Sequence, residues 1–173
     1  MPLVRTTWAR CGHTPALFHR AHQRDKVSVT AALTLSPHRG HLGLYYQTFP
    51  DTYVDAELYT FFLRRLLRQI RGPMMLLHDG GNMHKGPLVS ELSNDFPRLE
   101  INRLPPYAPE LNPVEPLWGH AKNEELANFA PLDTDQLEQT VSDFLDKVRN
   151  DQDRLRSFFT AAELPWAGLT GLM

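Results

Sequence analysis

Residues Leu104 to Lys122 read LPPYAPELNPVEPLWGHAK, and this stretch decides how the rest of the chain is read. Its first half, Tyr107-Ala108-Pro109-Glu110-Leu111-Asn112-Pro113, is a proline-stiffened loop, because each proline holds φ near one value and removes an amide donor. Asn112-Pro113 then predicts a helix over Pro113 to Ala127, with proline at its first position. Glu115 lies just inside that helix. Asn112-Pro113-Val114-Glu115 also has the form of a capping box, with Asn112 as cap and Glu115 three residues on, so a purely structural role for Glu115 stands beside a functional one. A rigid approach suits a helix that must present one carboxylate accurately.

Upstream, the apolar run Met74-Met75-Leu76-Leu77 predicts a short buried strand ending at His78-Asp79, before Gly80-Gly81. Carboxylates at strand ends face the open edge of an α/β sheet, where ligands bind. Asp-Gly is equally a common turn in which the aspartate stabilises its own backbone. A strand that ends on one carboxylate and a later helix that begins with another can direct both at one divalent ion, the usual frame for metal-dependent phosphodiester chemistry.

The elements around these two acids predict a mixed α/β fold. Lys26 to Leu35 alternates and is rich in β-branched residues, which predicts a strand, and His41 to Phe49 predicts its hairpin partner across a turn at Pro37 to Gly40. Tyr53 to Arg71 predicts a helix with Asp55 at its start and Gly72 at its close. Leu58, Phe61, Phe62 and Leu66 recur on it at helical spacing, as do Tyr59, Leu63, Leu67 and Ile70. Its Arg64, Arg65, Arg68 and Arg71 complement the negative end of the helix or meet a DNA backbone. Helices are expected over Pro87 to Phe96, Asp133 to Val148 and Asp151 to Ala162, and a strand over Leu99 to Leu104. The order hairpin, helix, strand, helix, strand, helices places a parallel pair in the middle.

At 173 residues and 42% hydrophobic content the chain suits a single globular domain with a real core. No apolar run approaches the ~20 residues needed to span a bilayer, and no secretory leader is evident, so a cytoplasmic protein without membrane contact is expected. Cys11 is the only cysteine, which excludes an internal disulfide. The net charge of −2 provides no bulk attraction to DNA, so nucleic-acid contact must come from local basic patches. His78, Asp79 and His84 lack the usual spacing of a zinc site, and His13, His19 and His22 are irregularly spaced.

LLHDGGNMHKG, at Leu76 to Gly86, and LPPYAPELNPVEPLWGHAK resemble the second and third acid motifs of DDE transposases, in the mariner-like branch that includes many bacterial insertion sequences. Thirty-five residues separate the two acids, within that family's habit. TTWARCGHTPAL and RDKVSVTAALTLSP are also similar to this family, so the resemblance covers nearly the whole chain. Gly80-Gly81-Asn82-Met83-His84 departs from the family's more usual Asn-Ala-x-x-His while keeping His84. The resemblance implies a ribonuclease-H-like fold, a mixed sheet flanked by helices, and an active site of three carboxylates around two magnesium or manganese ions. It makes Asp79 the second carboxylate and Glu115 the third, both as metal ligands. It also implies DNA, at the transposon ends, as partner; His84, Lys85, His120 and Lys122 are the candidate nucleic-acid contacts, with a solvated face as the equal reading for His120 and Lys122. Trp118, on the same helix as His120 and Lys122, is expected in the core.

One departure outweighs the match. In this family the first aspartate sits on the first strand, upstream of the TTWARCGHTP-like segment, and here no acid precedes Asp25, which opens the second. The resemblance therefore implies that this strand, central in the sheet between the hairpin and the Asp79 strand, is absent, as is the amino-terminal helix-turn-helix region. Residues 1–173 are expected to be a partial catalytic domain with facing unpaired sheet edges, unless something fills the gap. A split or frameshifted gene, a decayed remnant and a start codon assigned too far downstream all explain this. Little or no catalysis is expected of the chain alone, since two carboxylates hold a second ion poorly. Two other readings stand beside the transposase fragment. One is a non-catalytic module that pairs with a full-length transposase, a companion upstream polypeptide or a second copy through its sheet edges or last helices. The other is an unrelated ribonuclease-H-like nuclease.

Overall fold

The computed structural model describes residue 6, residues 8–14, residue 16, residues 26–84 and residues 86–163. Strands β1 (Val27–Leu35) and β2 (Leu42–Pro50) form an antiparallel hairpin, in register from Val27 opposite Pro50 to Leu35 opposite Leu42. Because strand side chains alternate, the hairpin buries two faces. Ala31, Leu33, Leu35, Leu42, Leu44 and Tyr46 face one apolar cluster, whereas Ala32 and Tyr45 face another.

The second cluster is built by helix α1 (Ala56–Gln69), helix α2 (Pro87–Asp95) and strands β3 (Met74–His78) and β4 (Leu99–Arg103). Asp55 caps α1 by accepting from the amides of Glu57 and Leu58 at 3.0 and 2.9 Å, so the helix starts at Ala56 and not at Tyr53. Tyr59, Phe62, Leu63, Leu66 and Leu67 make its buried face. Phe61 was expected on an apolar face but is 51% exposed, beside the Arg65 guanidinium; the buried stripe centres on the other side. Arg64 is tied to Asp95 at 2.6 Å and Arg65 to Gln47 at 2.6 Å, while Arg68 and Arg71 are exposed.

The first cluster is covered by helices α3 (Val114–His120), α4 (Thr134–Arg149) and α5 (Gln152–Ala161). Asp133 and Asp151 cap the last two by accepting from Gln136 N–H at 2.8 Å and Arg154 N–H at 2.9 Å. The helix expected to run to Ala127 is shorter. After His120 the backbone widens into a π turn over Ala121–Glu125, closed by Leu126 N–H on the Ala121 carbonyl at 2.9 Å, and Asn128 then turns left-handed at φ 59. Trp118 packs partly buried against this cluster, as expected.

β3 and β4 pair in parallel, His78 opposite Arg103, and among the described residues β1 and β2 pair only with each other. The sheet is thus in two halves, and among the described residues no strand lies between them. No helix among the described residues is long and apolar enough to cross a membrane.

Candidate active site

Asp79 leaves the end of β3 and lies at the surface. Its Oδ1 accepts from Gly81 N–H at 2.8 Å and lies 3.1 Å from His84 Nε2. The turn-stabilising role is therefore real, but one oxygen fulfils it, and Oδ2 has no partner among the described residues. The approach is close: a Cβ on Gly81 would stand 3.0 Å from that Oδ1 and 3.2 Å from His84 Cδ2. A side chain there would need the Asp79 carboxylate or the His84 ring to give by a few tenths of an ångström.

His84 belongs to a short 3₁₀ turn, Asn82–His84, that folds back over Asp79. Its ring meets Tyr59 edge-on at 4.3 Å and His78 at 4.9 Å, and only 13% of the side chain is exposed. With Nε2–H donating to Asp79, Nδ1 is a buried acceptor without a partner among the described residues. Burial lowers the pKa of His84 below its ordinary value, against the opposing pull of Asp79. Burial also lowers that of His78, whose Nδ1–H donates to the Asp79 carbonyl at 2.8 Å. Burial first, and the Asp79 charge second, push the Tyr59 hydroxyl well above its usual range.

These shifts set a pH dependence. Both histidines bind protons less readily folded than unfolded, so below the unfolded value of about 6.5 the unfolded chain takes up protons that the folded one refuses. Stability is fully present above that value and falls as the pH drops through it, levelling off once the folded histidines also protonate. Urea unfolding in chelator at pH 7.5 and pH 5.5 is expected to show the loss, and His84→Gln is expected to flatten it. An equal pH slope in that variant would refute the assignment.

Glu115 sits in the first turn of α3, exposed. The reciprocal capping box is not formed. Asn112 Oδ1 accepts from Val114 N–H at 3.2 Å, but Asn112 N–H is taken by the Pro109 carbonyl at 3.0 Å, within the turn Pro109–Leu111. The loop does the work expected of the Glu115 side chain, whose carboxylate keeps no partner among the described residues.

Asp79 and Glu115 line one cleft of about 1150 Å³, which runs between β1 and β3. Asn112, Trp118, Tyr59 and Phe159 share its wall. Among the described residues no group of three or more His, Cys, Asp or Glu side chains is gathered as a metal cluster. The donor set of two carboxylates with unengaged hard oxygens fits a divalent cation that fills its remaining positions with water, and fits a pair of such ions less well.

Of the other residues singled out, His120 is only 11% exposed. Its Nδ1 pairs with Glu124 at 2.9 Å, and its ring lies against Phe144 and Phe158. Lys122 on the π turn is exposed. Lys85 and Asp25 lie outside the described residues, as do His19 and His22. Cys11 and His13 are exposed. Sequence reasoning missed Arg103, which donates to the Gly80 carbonyl at 3.3 Å and stands over the Asp79 turn. Its signal was the strand Leu99 to Leu104, but only the pairing of His78 with Arg103 brings it there.

Residues 2–138 match the family model described as DDE superfamily endonuclease. The chain belongs to this family. This DDE endonuclease chain also resembles solved structures. A Mos1 transposase paired-end complex with left transposon end matches at 17% identity and TM-score 0.60, covering 91% of this chain and 46% of that one. The catalytic domain of Mos1 mariner transposase matches at 18% identity and TM-score 0.53, covering 79% of this chain and 74% of that one. A Mos1 mariner paired end complex with Mn matches at 18% identity and TM-score 0.54. The likeness is one of fold: the DDE chain is ribonuclease-H-like, as the motifs imply, and resembles a transposase catalytic domain. It spans about half the length of the longer transposase chains, 46% in the first. No curated protein matches.

Proposed function

We propose that residues 1–173 are part of a transposase catalytic domain whose parent cuts transposon-end DNA and joins strands, with Asp79 and Glu115 as its second and third metal-binding carboxylates. The observation that carries this reading is that two carboxylates, Asp79 just past β3 with one oxygen held by Gly81 and His84, and Glu115 on α3, line one cleft. When bound, a magnesium or manganese ion there would polarise a phosphodiester oxygen and lower the pKa of an attacking water or 3′-hydroxyl. The chain's own part is positional. The Asp79 turn and His84 hold one carboxylate, and the proline loop holds the start of α3 and with it the other. Exposed Lys122, and Lys85, meet phosphate, and His84 and His120 set the geometry beside them. The chain alone, with two carboxylates, is expected to catalyse little. The test is manganese binding by the purified chain and by Asp79→Asn and Glu115→Gln; unchanged affinity in both ends the assignment.

A second reading rests on the divided sheet. Among the described residues β1 and β3 each pair on one side only, and their free edges border the same cleft. Unpaired strand edges are templates for another strand. In this reading an extended segment of a companion transposase polypeptide fills the cleft, and the chain acts as a pairing module. Hydrogen exchange at the β1 and β3 amides is expected to slow when a full-length transposase of this branch is added. Exchange unchanged at both edges would dismiss it.

A further inference from the structure

Tyr107 is fully exposed and holds a left-handed backbone at φ 60, a conformation a bulky L-residue rarely adopts. Such strain persists only where the surroundings impose it, and it gathers at functional positions. The surroundings here are explicit. Pro105, Pro106 and Pro109 stiffen the segment, and Leu104 and Pro113, at its two ends, are buried. Leu104 N–H donates to the His78 carbonyl at 2.9 Å, one residue before Asp79. Past Tyr107, the turn Pro109–Leu111 is closed on the Ala108 and Pro109 carbonyls, and Glu163 N–H donates to the Glu110 carbonyl at 2.9 Å. The loop is thus pinned beside Asp79 at one end and beside Glu115 at the other, and its crown lifts an aromatic ring into water. Three Cα steps of about 3.8 Å separate Tyr107 from Leu104, so its backbone lies within roughly 11 Å of that anchor. Stacked bases repeat at about 3.4 Å, so this is a span of roughly three nucleotides.

An aromatic ring held open on a rigid loop offers a π face at little cost in conformational entropy, and every nucleobase has a face to match it. We infer that Tyr107 is a stacking platform for a nucleobase of the DNA strand lying across Asp79 and Glu115, and that its left-handed backbone is retained to aim the ring. This rests on the reading of the cleft as a DNA site. In it, Tyr107 positions the strand and has no part in proton transfer or metal binding.

The test uses the full 173-residue chain and a short single-stranded oligodeoxynucleotide bearing one 2-aminopurine, at low salt. The chain is expected to bind it and quench the 2-aminopurine fluorescence. Tyr107→Ala is expected to weaken binding about tenfold and remove the quench, and Tyr107→Phe to retain both. Tyr107→Gly is expected to lose the quench while raising the melting temperature, since glycine accepts positive φ freely. A purely structural tyrosine would instead show a lower melting temperature in Tyr107→Ala with quenching intact in the folded fraction. Equal binding and equal quenching by the chain and Tyr107→Ala would overturn the inference and leave the DNA reading standing. The same holds if DNA binding is equal and only capture of a transposase polypeptide is lost. Absence of oligonucleotide binding by the chain itself would overturn both.

Discussion

Asp79→Asn and Glu115→Gln are each expected to lower manganese affinity at least tenfold, and the double variant to abolish measurable binding. Removing even an outer-shell partner of a ligand typically costs roughly 10- to 100-fold, so removing a ligating carboxylate costs no less. Both substitutions keep the side chain's shape and remove only its charge. Glu115 has no partner among the described residues, so Glu115→Gln is expected to leave the melting temperature unchanged. Asp79→Asn keeps an oxygen for Gly81 N–H but weakens the contact with His84. Isothermal titration and the manganese spin-resonance signal read the affinity. Loss in one variant only would show that the two acids do not share an ion.

Leu117→Ala is expected to destabilise the chain by about 2–5 kcal/mol, the range for deleting a fully buried leucine. Leu117 is 0% exposed and belongs to the cluster formed by the hairpin, α4 and α5. For a domain whose whole stability is about 5–15 kcal/mol this is a large share. Leu117 stands two residues beyond Glu115 and anchors α3, so manganese affinity is expected to fall as well, although no ligand is changed. Urea unfolding measures the first effect. A loss below about 1 kcal/mol would mean that α3 is held by its loop and not by its core face.

The two effects separate what is local from what is not. Asp55, Asp133 and Asp151 cap their helices, and β3 spans the apolar run from Met74 and the His78 that follows it, because caps and apolar runs are written in a few adjacent residues. Glu115 shows the limit of such reading. Its motif has the letters of a capping box, yet the Asn112 amide bonds to Pro109, and the carboxylate is left over. His84 and His120 read as polar residues free to meet phosphate, but each is largely covered by aromatic rings from α1, or from α4 and α5. Phe61 and the π turn after His120 departed from helical periodicity for the same reason: the distant surfaces that cover a helix do not appear in its own spacing.

By itself the amino-acid sequence determined most of the secondary elements and their order, and it singled out the two acids now proposed as the site, since propensity, caps and motif letters act over a few residues. Only the tertiary structure brought Asp79 and Glu115 to one cleft and swung Arg103 over the Asp79 turn. Those outcomes depend on contacts between residues far apart in the chain, where packing and hydrogen-bond competition decide which side chains are engaged and which remain free.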